Sequence, residues 1–209
     1  MKPTSAQLRA LAKRDPVLGR AIRQVERFPG FPQPGGYRSH YHALARSILY
    51  QQLAGAAAST IYGRVCDLTP GAGFPRAAEL LALPEKKLRA AGLSANKLLA
   101  LRDLARHTES GELGFPSISR LSDERIIERL VQVRGIGEWT VQMFLIFRLG
   151  RLDVMPTGDL GVQEGMRILD GLRSRPKPKE LGARAEVWRP LRSVATWTLY
   201  RLTDTAAPS

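Results

Sequence analysis

Two short runs hold the residue types that could do chemistry. The first is Gly135-Ile136-Gly137-Glu138-Trp139-Thr140-Val141, preceded by Leu130-Val131-Gln132-Val133-Arg134. Two glycines around one apolar residue, between segments with helical apolar spacing, spell a helix, a tight hairpin and a second helix. Glycine permits positive φ and close approach of another backbone, and the amides that open the second helix have no intrahelical acceptor. Such a turn can hold phosphate oxygens through main-chain N–H groups, although a plain connecting turn looks the same in sequence. The second run is Asp153-Val154-Met155-Pro156-Thr157-Gly158-Asp159-Leu160-Gly161-Val162, in which Pro-Thr-Gly-Asp reads as a helix start, with Asp159 twenty residues after Trp139. A helix N-terminus favours negative charge, and a carboxylate there could stabilise positive charge developing on a substrate or direct a water. Taken alone, an aspartate in such a place reads first as an N-cap.

Those two runs must be positioned by a folded scaffold. The 209 residues suffice for one domain or two small lobes with a continuous core, and 44% hydrophobic with 24% charged residues is ordinary globular composition. No stretch of eighteen uncharged apolar residues exists, and the opening MKPTSAQLRALAKRD has no apolar signal core, so a soluble protein of the cytoplasm is expected, with no membrane partner. Cys66 is the lone cysteine, and His40, His42 and His107 show no ligand spacing. Together these exclude an internal disulfide, an iron–sulfur cluster and a zinc knuckle. The net charge of +13 points to a polyanion, nucleic acid before an anionic membrane, and only seven of the 32 basic residues are lysines. Residues 111–150 nevertheless carry five cations and five anions, so phosphate binding by the hairpin there must use the backbone.

Apolar residues recur at helical spacing, as in Leu44, Ile48 and Leu49 or Leu98, Leu101, Leu104 and Ala105. Strand-like alternation is scarce, and about nine or ten helices are expected. Ser39, Ser94 and Ser122 are the predicted caps of helices running toward Leu53, His107 and Leu130. Breaks are expected at Pro29–Gly36, Pro70–Pro75, Gly111–Pro116 and Ser174–Pro178, and the run Arg175-Pro176-Lys177-Pro178-Lys179 reads as an exposed loop.

Gly-Ile-Gly-Glu-Trp-Thr-Val followed by Pro-Thr-Gly-Asp resembles the signature of the helix-hairpin-helix, Gly/Pro…Asp superfamily of DNA glycosylases, in its alkylbase (3-methyladenine DNA glycosylase II) branch. Further matches run in order over roughly residues 40–205. Arg46-Ser47-Ile48-Leu49-Tyr50-Gln51-Gln52-Leu53 with Gly55-Ala56-Ala57-Ala58 resembles that branch's glutamine-containing helix pair. Gly92-Leu93-Ser94 with Lys97 resembles the segment before its hairpin, and Arg189-Pro190, Arg192-Ser193, Trp197 and Tyr200 resemble its final helix.

The resemblance implies an all-α, two-lobed fold: residues 1–39 with 149–209 as one helical lobe, 40–148 as a helical barrel carrying the helix-hairpin-helix at about 123–148, and the active-site cleft between them. It implies a glycosylase that flips alkylated bases such as 3-methyladenine and 7-methylguanine out of damaged double-stranded DNA and excises them in base excision repair, acting as a monomer. Asp159 is then the catalytic carboxylate. Trp139 and Tyr200, with Trp197, are the base-stacking candidates, since electron-rich faces favour a cationic base. Gln52 occupies the position of the residue that fills the gap left by the flipped base, with Leu53 as rival because many relatives use an apolar plug. Backbone carbonyls of Val131, Val133 and Ile136 would hold a monovalent cation, sodium or potassium, beside the phosphate-binding amides of Gly135, Gly137 and Thr140. No other cofactor is expected. Members that also cut the strand carry a lysine where this sequence has Trp139, so no Schiff base and no lyase activity are expected. Larger bacterial relatives begin with an additional β-rich domain, so a compact version is expected, on the bacterial nucleoid. Two other readings stay open: a non-catalytic hairpin module that binds DNA or damage, and a glycosylase for another lesion class. Asp153, His40 and His42 are expected to be structural or surface residues.

Overall fold

The computed structural model describes residues 2–25, 30, 39–71 and 73–206. The predicted break at Pro29–Gly36 lies outside the described residues except for Gly30. Regular structure among the described residues is helical: α1 Ser5–Arg14, α2 Pro16–Gln24, α3 His40–Tyr50, α4 Gly55–Cys66, α5 Ala77–Ala82, α6 Glu85–Ala90, α7 Ala95–Glu109, α8 Asp123–Leu130, α9 Glu138–Met143, α10 Leu160–Asp170, α11 Pro178–Ala185 and α12 Arg192–Ala206. That is twelve rather than nine or ten. The surplus comes from the six-residue helices α5 and α6, which are too short to show a 3.6-residue period in sequence, whereas the equally short α9 is the expected second helix of the hairpin. A π-helical turn follows α9 at Phe144–Arg148.

The chain divides into two compact units, one from Met1–Pro34 with Leu145–Ser209, the other from Gly35–Phe144. In the first, α10 and α12 pack closely around Val162, Met166, Val194 and Leu199, all fully or nearly fully buried. Gly165 makes that approach feasible: a Cβ there would stand 2.4 Å from the Leu199 carbonyl oxygen. Asp15 caps α2 through the Val17 and Leu18 amides, accepts the indole N–H of buried Trp188 at 2.7 Å and pairs with Arg184 at 2.7 Å. Burial alone would raise the Asp15 pKa, but the Leu18 amide, Trp188 and Arg184 outweigh it and hold the carboxyl below its usual range.

In the second unit α3 packs on α4 and α7, with Leu44, Ile48, Leu49, Leu98, Leu101 and Leu104 in its core. The three predicted serine caps form: Ser39, Ser94 and Ser122 accept the amides of His42, Lys97 and Arg125. The first of these helices ends at Tyr50 rather than Leu53, because the chain reverses at Gln51 and Gln52. His40 packs against the rings of Phe115 and Phe144, and His42 stacks with Tyr62 and Phe74, so both histidines serve packing.

Candidate active site

In the first unit the chemistry-bearing residue is Asp159, the N-cap of α10. The Pro-Thr-Gly-Asp run folds back on itself, with the Asp159 N–H on the Pro156 carbonyl at 3.0 Å and the Gln163 side-chain amide on the Thr157 carbonyl at 2.9 Å. Asp159 Oδ1 accepts the Val162 N–H at 2.8 Å. Oδ2 accepts the Tyr200 hydroxyl at 2.8 Å. Burial, the nearby Asp159 charge and this hydrogen bond all push the Tyr200 pKa up, so the phenol remains a donor at neutral pH.

The carboxylate is therefore gripped on both oxygens, by a main-chain amide and by a phenol from α12. Gly161 makes room for that grip. A Cβ there would lie 3.0 Å from Tyr200 Cε1 and 3.1 Å from Asp159 Oδ1, closer than side chains normally pack. α12 also fixes the segment leading into Asp159: the Val154 N–H donates to Ser193 Oγ at 3.0 Å, and the Ser193 N–H donates to the Leu152 carbonyl at 2.9 Å. Asp153 is bound by Arg189 and Arg192, each at 2.8 Å, which makes it an anchor for the start of α12. Trp197 is almost fully buried and stacks one face under the Arg201 guanidinium, 4.7 Å from the ring centroid.

The second unit carries the turn and the hairpin. α3 ends in a type II turn: Gln51 has φ −54° and ψ 134°, Gln52 has φ 56°, and the Leu53 N–H closes on the Tyr50 carbonyl at 3.4 Å. The third position of such a turn calls for glycine, and Gln52 is the only positive-φ residue other than glycine among the described residues. Left-handed backbone costs an L-residue about 1–2 kcal/mol, so neighbouring contacts must hold it there. Leu53 follows, about one-third exposed.

In the hairpin, the Val133 N–H donates to the Leu130 carbonyl at 3.2 Å and the Ile136 N–H to the Val133 carbonyl at 3.1 Å. The two glycines differ in how they use the freedom that the missing side chain permits. Gly135 has φ 77°, whereas Gly137 is extended, with φ −93° and ψ 170°. Gly137 is the N-cap of α9, and a Cβ there would meet nothing within 4 Å. Val133 and Ile136 bury their side chains, Val131 is partly exposed, and Thr140 is buried. A cavity of about 460 Å³ is lined by Arg46, Ser47, Tyr50, Gln51, Gln52, Trp139, Thr140 and Met143. Trp139 is 48% exposed on it, and the Arg46 guanidinium lies 3.9 Å over the Tyr50 ring.

The structure thus joins Asp159 to Tyr200, and Gln52 to Trp139 and Thr140. Sequence reading assigned no positioning role to Gly161 and Gly165, or to Arg46, Tyr50 and Met143 on the cavity wall. The available signals were modest: glycines four apart inside a helix, and Arg46/Tyr50 and Trp139/Met143 pairs at the same spacing. Among the described residues no helix is long and apolar enough to cross a membrane.

The profile of the family described as HhH-GPD superfamily base excision DNA repair protein matches residues 45–190. DNA-3-methyladenine glycosylase 1 of Schizosaccharomyces pombe is 38% identical over 167 residues, 79% of this chain and 73% of that protein. The solved structure of the S. pombe 3-methyladenine DNA glycosylase in complex with abasic DNA superposes with a TM-score of 0.82 at 33% identity, covering 98% of this chain and 100% of that one. The crystal structure of a DNA-3-methyladenine glycosidase from Bacillus halodurans gives 0.87, also at 33% identity, covering 98% and 92%.

Proposed function

We infer the activity from the family: the chain belongs to the HhH-GPD superfamily of base excision DNA repair proteins, and it acts as a glycosylase that excises alkylated bases such as 3-methyladenine and 7-methylguanine from damaged DNA. The observation that carries this reading is the Asp159 carboxylate, gripped on one oxygen by the Val162 amide and on the other by Tyr200.

Hydrolysis breaks the bond between C1′ and the base nitrogen, and the electron pair leaves with the base. A base alkylated on a ring nitrogen is already cationic, so it departs without prior protonation. Positive charge then builds on the sugar, where a preoriented carboxylate stabilises it. Water adds to C1′ and gives up a proton, and the products are free base and an abasic site. Asp159 carries the electrostatic part. Trp139 stands at the second hairpin helix where strand-cutting relatives have an amine, so no imine forms and the strand stays intact.

The remaining roles extend the same reading. The faces of Trp139 and Tyr200, with Trp197 as third candidate, take the extruded base. Gln52 fills the gap in preference to Leu53, supported by its place at the tip of a turn that glycine would occupy more easily. The amides of Gly135, Gly137 and Thr140 bind a backbone phosphate. The carbonyls of Val131, Val133 and Ile136 would hold a sodium or potassium ion there. Val131 fits that role as the C-cap of α8, where carbonyls lack helical partners and the dipole favours a cation, and Val133 and Ile136 follow it in the hairpin. The protein would work as a monomer on double-stranded DNA, in the cytoplasm at the nucleoid.

The test is release of free methylated base from alkylated duplex by the wild type and by Asp159→Asn. The wild type is expected to release base and leave abasic sites without strand breaks. Asp159→Asn should bind the duplex normally while its rate falls about a thousandfold, the scale for losing a preorganised charge partner. Equal release by both proteins would remove Asp159 from the chemistry; binding without release from any lesion duplex would make the protein a damage-binding module.

A further inference from the structure

The turn carrying Gln52 and the hairpin carrying Gly135 are more than eighty residues apart in sequence, yet one helix face touches both. Lys97, Ala100 and Asp103 recur every three residues along α7 and so share a face. The Lys97 ammonium donates to the carbonyls of Leu49 and Gln51, the latter at 2.8 Å. These groups lie at the C-terminal end of α3, where the helix dipole favours a cation. The Ala100 methyl lies 3.0 Å from where a Cβ on Gly135 would stand. Asp103 Oδ2 accepts the Arg134 N–H at 2.9 Å. Gln51 completes the frame by spanning the two elements directly: its side-chain amide donates to the Gly135 carbonyl at 3.0 Å and reaches Thr140 Oγ1 at 3.4 Å.

We propose that Lys97 is a positioning residue whose ammonium clamps the end of α3 and, with Gln51, holds the left-handed Gln52 turn in fixed register with the Gly135 hairpin. Gap filling and phosphate gripping then act as one rigid unit rather than two loops that must order separately on DNA. A left-handed glutamine relaxes to extended backbone unless its surroundings over-determine it, and a clamp on the carbonyls either side of Tyr50 supplies that constraint. Ordering the turn in advance removes an entropic cost that would otherwise fall on binding. Lysine suits the task because one ammonium serves two carbonyls. Its partial burial, which lowers its pKa, sets it among the protein's own groups. The consequence for DNA rests on the glycosylase reading; the clamp itself does not.

The experiment uses the full chain with Lys97→Met, Lys97→Arg and Gln51→Ala. Amide hydrogen exchange is read in the free proteins at Gln51, Leu53, Arg134 and Ile136. A duplex holding a tetrahydrofuran abasic analogue beside 2-aminopurine reports stack disruption on binding. Lys97→Met is expected to speed exchange at Gln51 and Leu53 about tenfold without a matching loss of global stability. It should also cut the 2-aminopurine response and slow base release from duplex about tenfold, whereas Lys97→Arg, which keeps the charge but replaces the compact ammonium with a larger planar fork, should fall between the wild type and Lys97→Met in all three. Gln51→Ala should speed exchange on the hairpin side while leaving the α3 carbonyls clamped. Unchanged exchange in Lys97→Met overturns the proposal, and pairing that result with weaker, more salt-sensitive binding would identify Lys97 as a phosphate contact instead. A wild type that releases no base, while exchange responds as expected, would sink the glycosylase activity and leave the clamp standing.

Discussion

The carboxylate site in the first unit and the turn-and-hairpin site in the second are built by opposite means. Asp159 is buried, and its two oxygens are fixed by α10's own amide and by a phenol on α12. Gly161 and Gly165 matter there because they add nothing, letting two helices approach until Tyr200 reaches the carboxylate. At the turn and hairpin the proposed phosphate and cation contacts are main-chain amides and carbonyls, and side chains such as Lys97, Gln51 and Asp103 serve to hold the backbone in shape. A group that must face a developing charge at one atom needs a rigid, dry mounting. A surface proposed to follow a regular phosphate backbone needs shape and amides more than charge, which is consistent with the neutral balance of residues 111–150.

The largest test of this contrast is Gly165→Ala. Its Cβ would sit 2.4 Å from the Leu199 carbonyl and 2.7 Å from the Leu199 Cβ, so α10 and α12 must separate. Overpacking of this kind costs about 2–3 kcal/mol, measured as the loss in urea unfolding free energy. Base release should fall as well, because Asp159 and Tyr200 ride on the two displaced helices. Exchange at the hairpin amides should stay as in the wild type; if it rises equally, the two regions are not independently built.

Tyr200→Phe is next and asks how much the second grip on Asp159 contributes. Losing one hydrogen bond to a charged acceptor costs about 1.5 kcal/mol, or about tenfold in kcat, with little change in KM. The direction of the Tyr200 pKa adds a second reading. The folded phenol titrates above its ordinary 10.0, so it stays a donor throughout the working range. The native state keeps that proton where the unfolded chain loses it, so the stabilisation is present below pH 10 and lost only above it. The alkaline sides of the wild-type and Tyr200→Phe rate profiles should therefore run parallel, offset by the constant loss in kcat, between pH 7 and about 9. An alkaline limb present only in the wild type would assign Tyr200 a proton to give up.

How much of this was legible in sequence follows the same division. The Gly-Ile-Gly hairpin, the Asp159 helix start and the three serine caps depend on local chemistry and could be read from neighbouring residues. The approach of Tyr200 to Asp159 spans 41 positions and depends on two glycines whose significance lies in what faces them, so it required the packed structure. The six-residue helices α5 and α6 were missed for want of periods to count, and the left-handed Gln52 was hidden because a type II turn normally announces itself with glycine. Lys97 was visible as part of a resembling motif, but nothing local told that its ammonium ends on carbonyls 46 and 48 residues away.

The smallest effect is expected at Gly135→Ala, and it sharpens the contrast most. Gly135 has φ 77°, and an added Cβ would stand 3.0 Å from the Ala100 methyl, so alanine strains the backbone and presses on α7. The cost is about 1 kcal/mol, because one residue must hold a left-handed conformation and α7 must shift by a few tenths of an ångström to relieve the Ala100 Cβ. On the proposed reading, in which the hairpin serves binding rather than bond breaking, the loss should fall on duplex affinity, about fivefold in Kd, with kcat at saturating DNA unchanged. The salt dependence of binding should keep its wild-type slope, because no side-chain cation has been removed from the phosphate contacts. A drop in kcat equal to that of Tyr200→Phe would place the hairpin backbone in the chemical step, and a shallower salt slope would mean that the hairpin orients a cationic side chain onto the phosphates.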